Sequence, residues 1–552
     1  MKAATAGAVG LAIAPARAAV ELPPEVLYNG IRLPRRWPPP LQSLSRVPAT
    51  PPYLLSPPAV IPIDVGRQLF VDDFLIQATT LTRRFHAATY HPESPLLSPL
   101  TAWEKFDSTA DRTGQRSNPA AMPFSDGVFY DPHDRLFKMW YMGGYTGSTC
   151  LVLSEDGISW RRPAFDVKPG TNIVLTGTYR DSNTIWLDHE DPAPGERFKM
   201  AVWYDRYLLL YASPDGIHWQ PRGKSGPTGD RTTFFYNAFR RKWVFSLRDE
   251  IDGIGRLRRY WEHDRFFEGV NWRAGEPSLW TSADSADPQR DDYRIAPQLY
   301  NLDAVSYESV LLGLFSIWRG EPRDREKVNE VCVGFSRDGF HWSRPDRAPF
   351  IPVSEHVGDW NWANVQSAGG CCLVVGDELY FYVSGRSGVP GTDLPGISRT
   401  GLATIRRDGF ASMDLASPES APVRQDARLG RGTLLTRPVR FTGACLFVNA
   451  DLGGGELRAS VEDEQGQPLP NLALADCVPA HGNSTALHVR WKDDAALARV
   501  TGRPVRVRLQ ITHGRLYAFW IAPSSAGASR GFVAAGGPGF SGPRDTAGRV
   551  PA

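Results

Sequence analysis

The chain lacks every feature that would mark a membrane protein, a nucleic-acid binder or a disulfide-stapled module. Beyond its N-terminus no apolar run approaches the roughly 18 residues of a membrane-spanning helix, so no membrane span is expected. Neither sign of charge is in excess: 62 Lys and Arg stand against 60 Asp and Glu, and the basic residues are scattered. A net charge of +2 offers no electrostatic footprint for nucleic acid, so no nucleic-acid partner is expected. The six cysteines (Cys150, Cys332, Cys371, Cys372, Cys445, Cys477) are too few and too dispersed for a disulfide framework, and none forms a Cys-x-x-Cys pattern. Cys445 and Cys477 share one segment and are the candidate pair in an oxidising compartment, the alternative being buried free thiols. Histidines show no metal-ligand spacing; His86 and His91 are five apart in a loop-like stretch. No metal and no cofactor are therefore expected. No segment carries the 3.6-residue period of a helix longer than a few turns.

What the chain does have is glycine (52), proline (46), tryptophan (17) and a repeat. The start, Met1-Lys2 followed by a short apolar stretch and Ala16-Arg17-Ala18, reads as a secretory signal over residues 1–18. A secreted or periplasmic location is the expectation. Residues 19–62 are Pro-rich and aperiodic and read as a leader, extended on the surface or partly disordered.

Ser-x-Asp-Gly-x-x-Trp occurs three times: Ser154 to Trp160, Ser213 to Trp219 and Ser336 to Trp342. The first two tryptophans lie about 59 residues apart and the next is about 123 further on, so an eroded copy is expected between them, ending at Trp272. Arg407-Asp408-Gly409-Phe410 is a fifth echo. Ahead of each box stand two strand-like runs joined by a turn. Their first strands read as Gly127–Tyr130, Asn183–Leu187, Thr233–Tyr236, Val305–Ser309 and Cys372–Val375. Five such units over residues 63–420 describe a five-bladed β-propeller. In the box, Asp caps its own turn, Gly supplies a positive φ and Trp fills space between sheets, so the box reads as scaffold. The run Gln68–Ile76 is a candidate for closing the ring, and its Asp72-Asp73 pair reads as an anchor more than as part of a site. Residues 421–525 read as short alternating strands of a second domain, a β-sandwich. The fold class is all-β, and residues 526–552 are expected to be disordered.

A propeller brings the starts of its first strands to one mouth of a central channel. The residues near those starts are Asp126, Asp181, Asp230 and Asp303, with Asn364 in unit five. Like charges converging on a funnel shift one another's pKa values or bind something, which marks a candidate site against the alternative of independent turn caps.

Here the chain resembles the five-bladed propeller glycoside hydrolases that act on furanosides, the invertase/fructanase family 32 and the arabinanase/xylosidase family 43. The Ser-x-Asp-Gly-x-x-Trp box stands where those enzymes often keep Ser-x-Asp-Leu-x-x-Trp, Arg180-Asp181-Ser182 resembles their Arg-Asp-Pro motif, and the second domain resembles the sandwich of family 32. The resemblance implies a secreted hydrolase of a furanoside or related glycan linkage, with an oligo- or polysaccharide as partner. It implies Asp126 as nucleophile or base, Asp181 as transition-state stabiliser and Asp230 in the place of the acid/base Glu, with Glu308 the alternative acid. The chain departs from the pattern in having Pro123-Phe124-Ser125-Asp126-Gly127 where those enzymes have Trp-Met-Asn-Asp-Pro-Asn-Gly, and in having no Glu-Cys-Pro. Such chemistry needs one protonated and one ionised carboxyl group. Candidate substrate-binding residues are Asp303, Asn364, Trp362, Arg180 and Arg386, with Trp103 and Trp360 as further aromatic surfaces. Two rivals are another propeller enzyme, a phosphorylase using Arg231, Arg248 and Arg386 or a sialidase-like enzyme, and a carbohydrate-binding propeller without catalysis.

Overall fold

The computed structural model describes residues 24–105, 118–176, 180–190, 193–293, 295–320, 325–415 and 430–548. Residues 1–18, which read as a secretory signal, lie outside the described residues.

Five antiparallel sheets follow one another along the chain. Blade one is Ala121–Asp131, Leu136–Gly143, Ser148–Ser154 and Ile173–Leu175. Blade two is Asn183–Leu187, Phe198–Tyr204, Tyr207–Ser213 and Gln220–Lys224. Blade three is Thr233–Asn237, Lys242–Ile251, Gly255–His263 and Ser278–Ser282. Blade four runs through Gln298–Glu308, Val310–Gly320 and Val328–Ser336, its outer edge reduced to single bridges at Ser343 and Ile351. Blade five is built on Asn364–Ser367, Glu378–Arg386 and Ser398–Arg406. The first strands pack side by side around one axis, blade five meeting blade one, which makes the fold a five-bladed propeller. Gln298–Glu308, Val310–Gly320 and Val328–Ser336 are buried almost throughout, because neighbouring blades cover both faces of the sheet. This is why those strands read as near-continuous apolar runs and not as alternation.

The repeated box does the work of scaffold. Ser154 Oγ accepts from the Gly157 amide at 2.8 Å, while Asp156 Oδ1 accepts from Ile158 and Ser159. The same pattern recurs at Ser213/Asp215 and Ser336/Asp338. The three glycines take φ of 77°, 82° and 86°. Each box then locks to the preceding blade: Tyr382 donates to Gly157 O (2.5 Å), Trp140 to Gly216 O (2.8 Å) and Trp280 to Phe340 O (2.7 Å). The eroded copy sits where the spacing puts it, after Gly255–His263, with Trp272 buried and donating to Pro227 O. In the fifth echo Tyr307 of blade four donates to Asp408 at 2.6 Å.

Four expectations change. The ring is not closed by Gln68–Ile76: Gln68–Leu69 pairs with Arg515–Ala522, and the strand added to blade five is Thr89–Tyr90. Its length of two residues hides it from any periodicity. Gln68–Ile76 instead lies with the second domain, in which a six-stranded sheet around Cys445–Asp451 and Arg515–Ala522 shares one core with a four-stranded sheet around Arg506–Ile511. Asp72 does anchor, but between domains, gripping Arg337 at 2.8–3.1 Å, while Asp73 is exposed beside Arg83.

The leader from residue 24 on is ordered against both domains. Tyr28 stacks on Phe239, Asn29 donates to Arg337 O, and Leu27, Ile31 and Leu33 enter the core of the second domain. The tail is ordered too. Phe532–Val533 pairs with Tyr307 and Glu308, the Tyr130 and Ala535 amides donate to Ala535 O and Cys372 O, and the Val374 amide donates to Gly536 O. Residues 532–536 thus thread between the inner strands of blades one, four and five and occupy the back end of the channel. Backbone hydrogen bonds, invisible in a Gly- and Ser-rich composition, hold the segment there. All six cysteines, Cys445 and Cys477 among them, are free thiols.

Candidate active site

The front end of the channel begins with a break in a strand. In Ala121–Asp131 the ladder slips between Met122 and Gly127, leaving Pro123 to Asp126 out of register. Ser125 there has φ of 64° and Gly127 of 133°. Arg231, at the start of blade three, also sits at positive φ, 56°. Non-glycine residues held in that region cost energy that the surrounding structure must supply, and such positions gather at functional sites.

Arg231 is the hub. Its buried guanidinium donates to Phe124 O (3.2 Å) and Ser125 Oγ (3.1 Å), and its cation lies 3.7 Å from the Phe124 ring centre. Ser125 in turn bonds Asp303 at 3.3 Å, and Asp303 also accepts from Asn301 (2.9 Å) and Ser367 (2.6 Å). Burial raises the Asp303 carboxyl above its usual range against the pull of those donors and of Arg231 and Arg258. Asp126 is fully buried and clasped in a bidentate pair by Arg180 at 2.8 and 2.9 Å. Burial raises Asp126 as well, with Arg180 and Arg231 opposing.

Asp181 and Asp230 differ from these two. Among the described residues Asp181 has no hydrogen-bond or ion-pair partner, and its Oδ2 is buried. Burial raises its carboxyl, the charge of Asp230 raises it further, and Arg231, Lys327 and Arg386 only partly offset both. Asp230 faces Arg248 at 3.3 Å and keeps about a third of its side chain in solvent (34%). It borders an open cleft of about 640 Å³ with Arg206, Arg248, Arg259 and Arg273 on its walls. One carboxyl group is thus isolated and raised above its usual range, and its neighbour lies beside a cation. Those are the two environments that acid/base chemistry on a glycoside requires.

The structure therefore brings together Asp126, Asp181, Asp230, Asp303, Arg180 and Arg386, the two pairs at different depths. Asn364 starts the inner strand of blade five, bonding Lys327 O and Gln366. Arg386 lies opposite it in register, its Nη1 on Glu326 at 2.5 Å. Glu308 is elsewhere. Blade four's inner strand runs from Gln298, not Val305, so Glu308 closes its far end, ~17 Å from Asp303 at about 3.4 Å per residue. There Arg67, Arg407 and Ser529 surround it and it faces no opening. Trp362 is no open platform: it is buried with Arg325 stacked 4.9 Å from its ring centre. Trp360 fills the space over Gly385 and Gly401, and Trp103 binds Asn172 through Nε1.

Sequence reasoning missed Tyr300, Lys327 and Arg256. Tyr300 is buried, with Arg256 4.8 Å, Lys327 5.6 Å and Arg231 5.8 Å from its ring centre. No repeated motif marks them, because Arg256 lies on a third-from-axis strand and Lys327 in a connection.

No family model matches the chain, and no curated protein matches it. Among solved structures it is similar to an exo-β-1,3-galactanase from Phanerochaete chrysosporium, at 12% identity over 76% of this chain and 99% of that one, with a TM-score of 0.35. It is similar to an endo-1,4-β-xylanase from Bacteroides thetaiotaomicron at 10% identity (51% and 90% covered, TM-score 0.35) and to an endo-arabinase from the same organism at 8% (52% and 95%, TM-score 0.33). Likeness of that size assigns no residue, and the propeller stands on the strand pairings of the chain itself.

Proposed function

We propose that this protein is a glycoside hydrolase whose front mouth cleaves a glycan with Asp181 as general acid and Asp230 as the second carboxylate. The observation that carries this reading is the contrast within that pair. Burial and the Asp230 charge disfavour the Asp181 anion and raise its carboxyl above the usual range, while Asp230 lies partly in solvent with Arg248 3.3 Å away. Asp181 donates its proton to the leaving oxygen. Asp230 attacks the anomeric carbon or deprotonates the water that does. Asp126, locked by Arg180, and Asp303, deeper in the channel, hold Arg231 and its neighbours in place. A furanoside is the substrate class that Arg180-Asp181-Ser182 supports, and the N-terminal signal supports action outside the cytoplasm.

Asp181→Ala and Asp230→Ala are each expected to lower kcat by about 10²- to 10⁴-fold on whichever glycan of a neutral and acidic panel the parent cleaves. The rate of the parent should fall as pH rises through the raised pKa of Asp181. Two variants with full activity would remove this assignment.

A further inference from the structure

Positive charge at the front mouth exceeds what the carboxylates there compensate. Among the described residues, Arg231, Arg256 and Lys327 form no ion pair with a carboxylate within 4.0 Å; Lys327 makes no hydrogen bond through its ammonium group, and Arg386 Nη2 is buried with no partner although the residue is only 2% exposed. These four cations converge on two aromatic rings. Arg231, Arg256 and Lys327 lie within 5.8 Å of the Tyr300 centre, and Arg231 and Arg386 within 5.2 Å of the Phe124 centre. Of the nearby acids, Glu326 is taken by Arg386, Asp230 faces Arg248 and Asp126 is clasped by Arg180, while Asp303 and Asp181 act on Arg231 through space and form no ion pair with it. Burial alone would raise the Tyr300 phenol, yet Lys327, Arg231, Arg256 and Arg386 hold it below its usual range, so the local field is strongly positive. Four cations this close together repel one another, the more so because Arg231 and Arg386 are buried, until an anion joins them.

We infer that the cationic collar of Arg231, Arg256, Lys327 and Arg386 seats an oxyanion carried by the glycan itself, a sugar carboxylate or a sulfate ester. The collar lies beside Asp181, whose carboxyl feels Arg231, Lys327 and Arg386, so the acidic substituent sits next to the bond being cleaved. A planar carboxylate suits the guanidinium forks, with Lys327 adding a point charge. The inference rests on the hydrolase reading for its glycan and on the collar alone for its anion.

The test is calorimetric titration of the full chain carrying Asp181→Asn, which binds without turnover. The ligands are a tri-galacturonate, the neutral trisaccharide of the same linkage, and that neutral trisaccharide bearing a sulfate ester. At least one acidic ligand should bind about tenfold or more tightly than the neutral one, with the advantage shrinking as salt rises. The stronger acidic arm identifies carboxylate or sulfate. Adding Lys327→Met or Arg256→Met, both half-buried and so tolerant of change, should remove most of that advantage and leave neutral affinity alone. Equal affinity for acidic and neutral sugars, no binding of either acid, or no effect of both substitutions overturns the collar. Inorganic phosphate that competes with the acidic sugar supports a shared seat. Phosphate that binds together with the neutral sugar and yields a sugar phosphate in the parent assigns the seat to the free anion and overturns the inference. An acid-selective collar in a protein whose Asp181→Ala variant still cleaves would instead overturn the hydrolase assignment.

Discussion

The two ends of the channel carry the same kinds of residue and do opposite things with them. At the back, Glu308 pairs with Arg67 and Arg407, accepts from Ser529 and meets Asp545 through the same arginine. Asp408 takes Arg67, Tyr307 and Asn449. The carboxylates there are matched by Arg407 of the propeller and by Arg67, next to the Gln68–Leu69 strand of the second domain, and the tail covers them. At the front, among the described residues, Asp181 Oδ2 and Arg386 Nη2 have no hydrogen-bond partner, and Lys327 and Arg256 lie against the Tyr300 ring with no ion pair. A buried charge cluster is therefore not by itself a sign of function. What marks a site is the charge left unmatched: at the back Glu308 and Asp408 both have guanidinium partners, although Arg67 Nε and Arg407 Nε make no hydrogen bond, whereas at the front whole charged groups stand without a counter-ion among the described residues.

The sharpest way to break this comparison is to unmatch the back. Glu308→Ala leaves Arg67 with Asp408 and Arg407 with Asp545 at 3.5 Å, one carboxylate short for two buried guanidinium groups, and should cost about 3 kcal/mol of stability, read as a lower denaturation midpoint, with glycan binding per folded molecule unchanged. A selective loss of binding would mean that the two ends are one site. Gly216→Ala sets the scale of purely structural damage: at φ of 82° a Cβ would run into the Trp140 ring, and about 1–3 kcal/mol of destabilisation is expected. The smallest effect is the most telling. Between the ordinary Asp range and the raised value, folded Asp181 keeps a proton that the unfolded chain has lost. Stability from this group is therefore full at low pH and falls as pH rises through that window. Asp181→Asn should melt higher than the parent above the window, by about 1 kcal/mol, and equal it below, in melts from about pH 3 to about pH 8. The opposite sign would mean that Asp181 has a partner.

Much of the frame was legible. The Asp-Gly-Trp boxes set five blades, and the frame picked out Asp181 and Asp230. Glu308 was misplaced because Val305–Ser309 looks like the start of a strand, whereas the strand starts seven residues earlier at Gln298 and includes polar Asn301 and Asp303. The aromatic surfaces failed for the opposite reason. Trp360 and Trp362 border the site in sequence, but their apolar area is used between strands. Lys327 and Arg256 escaped because a long side chain reaches a mouth from almost any connection, and no spacing records that reach.

The sequence by itself determined the blades, since capped Asp-Gly turns and inter-blade tryptophans are local instructions repeated at a near-constant period. Only the tertiary structure decided which charges found partners: that Asp126 has Arg180, that Glu308 has Arg67 and Arg407, and that, among the described residues, Asp181 and Lys327 form no ion pair. Pairing depends on distances of a few ångströms between residues up to hundreds of positions apart, as from Arg67 to Glu308, and a one-dimensional pattern does not encode such distances.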